Sequence, residues 1–171
     1  MIAARAVTVT EGNLMGQNVR ELKIRKMGVS DIGPLAYIEN QCFSRPWSAR
    51  EFGHLMDESD ALYLVAEAVD DKGSRKIVGT AGMRIISGEG DIDNVAVLPE
   101  FRNQGIAKSL MKELLDAGRK AGAEEFTLEV RVSNIPAIKV YESAGFVSEG
   151  IRPGFYEDPK EDANIMWIRK N

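Results

Sequence analysis

The sequence predicts an α/β protein built on one mixed, mostly antiparallel sheet flanked by helices. Segments in which apolar and polar residues alternate recur from about residue 20 to the C-terminus, the period of a half-buried strand. Three of them, around 61–68, 76–86 and from the turn at 87–90 to Val97, are separated only by short polar turns, the pattern of an antiparallel meander. Helical segments of period 3.6 interleave with the strands, which mixes the order of neighbours in the sheet. The chain has 171 residues, 44% of them hydrophobic, enough for a single domain with its own core.

The elements follow in order. Residues 1–18 are aperiodic and read as a flexible extension, leaving 19–171 as the domain. A first strand is expected at 21–27, with Leu22 and Ile24 alternating against Glu21, Lys23 and Arg25. Ser30 or Asp31 caps a helix running to about Gln41, with Pro34 tolerated in its first turn. Arg45-Pro46-Trp47 interrupts the chain, and Ser48 with Glu51 forms the capping box of a second helix. The meander ends at Val97, where Pro99 lacks the amide proton that a ladder needs. A long helix from Gly105 to about Ala121 carries Ile106, Leu110 and Leu114 beside Ala107, Met111 and Leu115 in one apolar stripe, and Gly122 ends it.

Residues 124–131 form the next strand, with Phe126, Leu128 and Val130 on one face and Glu125, Thr127, Glu129 and Arg131 on the other. Asn134 caps a short helix that Gly145 terminates. The last strands are expected at 146–150 and 163–169, separated by a loop that contains Phe155 and Tyr156.

Charge and composition exclude several functions. Lys plus Arg number 22 against 26 Asp plus Glu, a net charge of −4, which argues against nucleic acid as the main ligand. Mild acidity suits a cationic acceptor such as a peptide amine. Cys42 is the sole cysteine and His54 the sole histidine, so neither an internal disulfide nor a His/Cys metal site is expected. No apolar run approaches a membrane span, and the N-terminus lacks the pattern of a signal peptide. The expected compartment is the cytoplasm.

Two motifs carry the chemistry. The first is Asn94-Val-Ala-Val-Leu-Pro-Glu-Phe-Arg-Asn-Gln-Gly-Ile-Ala-Lys108, a strand, a turn and a helix that starts at a glycine. Free amides at such a helix start favour an anion. A dinucleotide fingerprint needs three glycines in set spacing and an NTP loop needs Gly-Lys-Ser/Thr; neither is present. The second motif is Leu128-Glu-Val-Arg-Val-Ser-Asn-Ile-Pro-Ala-Ile-Lys-Val-Tyr-Glu-Ser-Ala-Gly-Phe146. Asn134 and Tyr141 are two helical turns apart and so lie on nearly one face.

The first motif resembles the pyrophosphate-binding turn of the GNAT superfamily of N-acetyltransferases. The second resembles the RimI-type subgroup of that superfamily, which acetylates the N-terminal amine of ribosomal proteins beginning with alanine. Cys42-Phe-Ser-Arg-Pro-Trp-Ser48 and Glu161-Asp-Ala-Asn-Ile-Met166 resemble two further stretches of the subgroup. The resemblance implies the GNAT fold and acetyl-coenzyme A as cosubstrate, without a metal. It implies Glu129 as the base, acting through water, and Tyr141 as the acid for the coenzyme A sulfur.

It also implies that Val95, Ala96 and Val97 hold the pantetheine arm and the acetyl carbonyl. Arg102, Asn103, Gln104, Gly105, Ile106, Ala107 and Lys108 hold the pyrophosphate, with Asn134 as a further contact. Trp47, Phe155 and Tyr156 would flank the acceptor; Phe155 stands where the subgroup carries a tyrosine.

Taken singly, these residues have plainer readings. Glu129 suits a solvated strand face, Tyr141 a core aromatic, Asn134 a helix cap and Arg102 a surface charge. Trp47 either lines the groove or anchors the second helix. The combined motif moves the set towards function. Cys42 has no histidine near it in sequence and reads as a buried thiol rather than an acetyl carrier.

An α-amine, with an ordinary pKa near 8, is about a tenth neutral at pH 7, whereas a lysine near 10.4 costs about 3 kcal/mol more to deprotonate. One water-relayed carboxylate suits the easier case, a protein N-terminus. The rivals are a GNAT enzyme acting on lysine or a small amine, and a non-catalytic acyl-coenzyme A-binding module.

Overall fold

A computed structural model of the chain describes residues 5–7 and 19–170. The rest of the extension expected over 1–18 lies outside the described residues. Three of its residues, Arg5–Val7 (β1), form a strand antiparallel to Val19–Lys26 (β2), with Val7 opposite Leu22. Three residues are too few to show a period, and the sequence reading had no strand there.

After β2 come helices Ile32–Cys42 (α1) and Ala49–Leu55 (α2). The meander is Ala61–Asp70 (β3), Arg75–Ile86 (β4) and Glu89–Val97 (β5). Ile106–Lys120 (α3), Glu125–Arg131 (β6) and Ile135–Ser143 (α4) follow, and Val147–Glu157 (β7) and Lys160–Ile168 (β8) complete the chain. Among the described residues, one sheet holds eight strands in the order β1-β2-β3-β4-β5-β6-β8-β7. Every neighbouring pair is antiparallel except β5 and β6.

Helices cover both faces. Leu110 of α3 approaches Gly79 of β4, and the Tyr63 ring covers Gly82 on the opposite face, where it meets Trp47 and Phe52. Residues 79 and 82 differ by three, so their side-chain positions point to opposite faces. The expected stripe of α3 is buried at Ile106, Leu110, Met111, Leu114 and Leu115. Ser48 and Glu51 form the expected capping box.

Two expectations need correction. Asp31 stands at the N-cap of α1, but its carboxylate accepts from Gly28 N–H at 2.8 Å and from Arg25 instead of capping the helix. A nearby guanidinium outcompetes the helix amides for a carboxylate. Phe155 and Tyr156 lie within β7, which runs to Glu157, and not in a long loop. Pro153 and Gly154 suggest a turn, yet a register shift between Arg152 and Tyr156 absorbs them, and the chain reverses at Asp158-Pro159.

Two irregularities of β5 make the site. Its register on β4 passes from Gly82↔Asn94 to Met83↔Ile92, so Asp93 is the extra residue of a bulge. Its parallel pairing with β6 covers only Glu89–Asp91 against Glu125–Thr127. Beyond that the two strands part, and half the peptide groups of 92–97 face away from β4.

Candidate active site

The gap between β5 and β6 opens into a cleft of about 530 Å³. β5 supplies Ile92 to Val95, β6 supplies Leu128 to Arg131, and α4 supplies Asn134 and Tyr141. The α1–α2 segment contributes Phe43 to Arg45 and Trp47, and β7 contributes Phe155 and Tyr156. Of the expected residues, Glu129, Tyr141, Asn134, Val95, Trp47, Phe155 and Tyr156 therefore meet in one cleft. Ala96, Val97 and the turn from Arg102 to Lys108 do not line it; they follow along β5 and the loop beyond.

Glu129 is half-buried, and Arg152 approaches its Oε1 at 3.4 Å. Burial and the charge of Asp91 push its carboxyl above the ordinary carboxylate value, with Arg152 opposing. Tyr141 is 8% exposed, its ring 6.1 Å from Phe146. Burial, with the nearby Tyr156, raises its phenol well above the ordinary value, so the proton stays on at neutral pH. Asn134 accepts from Ala137 N–H at 3.3 Å, so it is a helix cap while also lining the cleft.

Tyr156 donates its hydroxyl to the Glu129 carbonyl at 3.2 Å, and the Arg131 guanidinium lies 4.2 Å over its ring. Trp47 lines the cleft and also packs 5.7 Å from Phe52, which joins the two readings of that residue. One end of the cleft is bridged. Ser44 donates to the Asp158 carbonyl at 2.7 Å, and Arg45 pairs with Glu157 at 2.7 Å.

In the turn after β5, Asn103 and Gly105 both have positive φ, 61° and 78°. Gly105 is the N-cap of α3, and the Ser109 N–H is bonded back to its carbonyl at 3.0 Å. The amides of Ile106, Ala107 and Lys108 precede that first intrahelical bond and are oriented for an anion. The Arg102 side chain also reaches back onto the fold. It donates to the Val97 carbonyl at 3.0 Å and approaches Cys42 Sγ at 3.5 Å, tying the end of β5 to α1. Burial pushes the Cys42 thiol up despite that neighbour, against a nucleophilic role.

Glu39 and Asn94 were not singled out by sequence. Leu35, Ile38, Glu39 and Cys42 occupy i, i+3, i+4 and i+7 of α1, so Glu39 is a charged residue at a core-facing position. That mismatch is the signal that could have found it.

The family model for the acetyltransferase (GNAT) family matches residues 33–146. The chain belongs to this family. The ribosomal protein bS18-alanine N-acetyltransferase of Escherichia coli K12 is 31% identical over 84% of this chain and 94% of its own. A Bacillus subtilis protein provisionally named for the same activity is 35% identical over 86% of this chain and 95% of its own. The crystal structure of the Escherichia coli ribosomal-protein-S18-alanine N-acetyltransferase superposes with a TM-score of 0.74 at 30% identity, covering 86% and 92% of the two chains. The fold is thus the GNAT fold, and the chain is an N-acetyltransferase of the type expected from its motifs.

Proposed function

We propose that this GNAT enzyme moves the acetyl group of acetyl-coenzyme A onto the N-terminal α-amine of a protein. The acceptor is an alanine N-terminus such as that of ribosomal protein bS18. The observation that carries this reading is the convergence of Glu129 and Tyr141 on one cleft at the parting of β5 and β6. Likeness to enzymes named for that acceptor over most of both chains supports the choice of amine. Acetyl-coenzyme A and ribosomal proteins share the cytoplasm, which places the reaction there.

Each part of the chain has a role in direct transfer within a ternary complex. The amides of 103–108 hold the pyrophosphate, with the positive φ of Asn103 and Gly105 aiming them. The outward peptide groups of Val95–Val97 continue the sheet ladder onto the pantetheine amides, and one N–H polarises the acetyl carbonyl. Asn134 borders the same arm. Glu129 removes a proton from the attacking nitrogen through water, and its raised pKa makes it a better base than an exposed carboxylate. Tyr141 gives its proton to the departing sulfur. Trp47, Phe155 and Tyr156 flank the acceptor backbone.

Coenzyme A release with three peptides tests the reading: a free N-terminal alanine, its blocked form, and a blocked peptide with an internal lysine. Turnover is expected only with the first. Glu129→Gln and Tyr141→Phe are each expected to lower kcat about a hundredfold. Turnover of the blocked lysine peptide would reassign the acceptor.

A further inference from the structure

Glu39 is 2% exposed, yet it lines the acceptor cleft. Its Oε1 accepts from Asn94 Nδ2 at 2.6 Å, and its Oε2 accepts from the Trp47 N–H at 3.2 Å. Both partners are uncharged. The buried carboxyls Asp31 and Glu67 differ, for they share the Arg25 guanidinium. A carboxyl buried without a cation is expensive, and a purely structural tie is made more cheaply by an amide. Asn94 Oδ1 is also buried and has no hydrogen-bond partner among the described residues. One wall of the cleft therefore offers, among the described residues, a carboxyl lacking a cation and an orphaned acceptor on adjacent side chains. A primary ammonium, with three N–H donors and one positive charge, is the complement of that pair.

The stoichiometry of the reaction asks for such a group. Acetylating an ammonium removes two protons from its nitrogen, and the thiol product takes up one. Glu129 on the β6 wall accounts for the proton lost as the C–N bond forms. The earlier loss, from ammonium to amine, goes to solvent for the roughly one tenth that is already neutral, and a carboxyl in the cleft serves the charged majority.

We propose that Glu39, with Asn94 beside it, is a further acceptor-binding residue that receives the incoming α-ammonium and takes its first proton. The inference rests on the α-amine reading above. One N–H bond breaks, one O–H bond forms on the Glu39 carboxyl, and the freed lone pair attacks the thioester; the proton then passes to solvent. The charged and titratable groups facing Glu39 are Glu51 on α2, Cys42 on its own helix and Tyr63 on β3. Beyond the tyrosine stands Asp93 of the bulge, which accepts from the Tyr63 hydroxyl at 2.5 Å. Burial, together with the charge of Glu51, pushes Glu39 up to about 7 against its two hydrogen bonds. At that value it exchanges a proton near neutrality.

The experiment is steady-state acetylation of an N-terminal alanine peptide across pH by wild type, Glu39→Gln, Glu39→Asp and Asn94→Ala. Thermal melting and acetyl-coenzyme A affinity are measured in parallel. Glu39→Gln is expected to raise the acceptor KM about tenfold, leave acetyl-coenzyme A affinity within about twofold, and remove the limb of kcat/KM near pH 7. Glu39→Asp keeps the limb and recovers most of the KM, and Asn94→Ala raises KM several-fold. An unchanged KM and pH profile in Glu39→Gln overturns the inference and leaves a structural tie. Equal impairment of Glu39→Gln and Glu39→Asp, with the pH limb kept in both, does the same. A wild type active on free N-termini beside an unaltered Glu39→Gln refutes this inference alone. A wild type inert on every free N-terminus removes the acceptor reading and the inference together.

Discussion

Replacing Glu39 by glutamine changes the charge of a buried group while leaving its shape. The glutamine carbonyl still accepts from Trp47, and a rotated Asn94 amide turns its orphaned Oδ1 towards the new NH₂ group. The consequence for stability follows from linkage. The Glu39 carboxyl stands at about 7 in the folded chain, against an ordinary 4.5. Between those values the native state holds a proton that the unfolded chain has released, so this group's contribution declines as pH rises. The contribution is greatest below the unfolded value and levels off above the folded one. Between about pH 5 and pH 8 the decline amounts to about 2.5 kcal/mol.

Urea unfolding of wild type and Glu39→Gln at the two pH values measures it. Glu129 and Asp93 also have raised values and contribute with the same sign, but they are common to both proteins and cancel in the difference. Wild type is expected to lose about 2.5 kcal/mol more than the variant over that range. Parallel curves would show that Glu39 ionises as an ordinary carboxyl and that the argument from its burial is wrong.

Other perturbations test other parts. A Cβ on Gly82 falls 2.1 Å from the Tyr63 ring, so Gly82→Ala is expected to cost about 1–3 kcal/mol in urea unfolding and to loosen Tyr63 from Asp93. Gly105 has φ of 78° and open space around its Cβ position. Gly105→Ala therefore meets backbone strain of about 1 kcal/mol without a clash, and it should raise the KM for acetyl-coenzyme A while leaving that for the acceptor unchanged. Ser48 accepts from the Glu51 N–H and Glu51 reaches back to Ser48; Ser48→Ala is expected to cost about 1 kcal/mol by thermal melting.

Much of the site was readable because it lies within a single stretch of sequence. Glu129, Asn134 and Tyr141 sit on one strand and the helix after it, so local geometry brings them to the same cleft. The stripe of α3 was readable because six apolar residues repeat with one period. What escaped depends on partners distant in sequence. Glu39 and Asn94 are 55 residues apart, and nothing local states that they touch. The Asp93 bulge and the parting of β5 from β6 are properties of strand pairing, which periodicity does not encode. Arg102 is read as a phosphate ligand from its place in the turn, whereas its contacts with Val97 and Cys42 are visible only in the fold. The loop expected around Phe155 and Tyr156 is strand because the irregularity at Pro153 and Gly154 takes in residues that also compose turns.

The bridge from Ser44 and Arg45 to the tip of the β7–β8 hairpin bears on topology as much as on energy. The bridge forms a roof at one end of the cleft. Ser44 and Asp158 stand 114 residues apart in sequence, so the bridge fastens two distant segments to one another beside the cleft. The separation of the two walls at that end is thereby tied to the tip of the β7–β8 hairpin. Two contacts made by exposed side chains hold the roof, and exposed pairs of this kind contribute little each. The width of the cleft at that end thus depends on one of the weaker joints in the molecule.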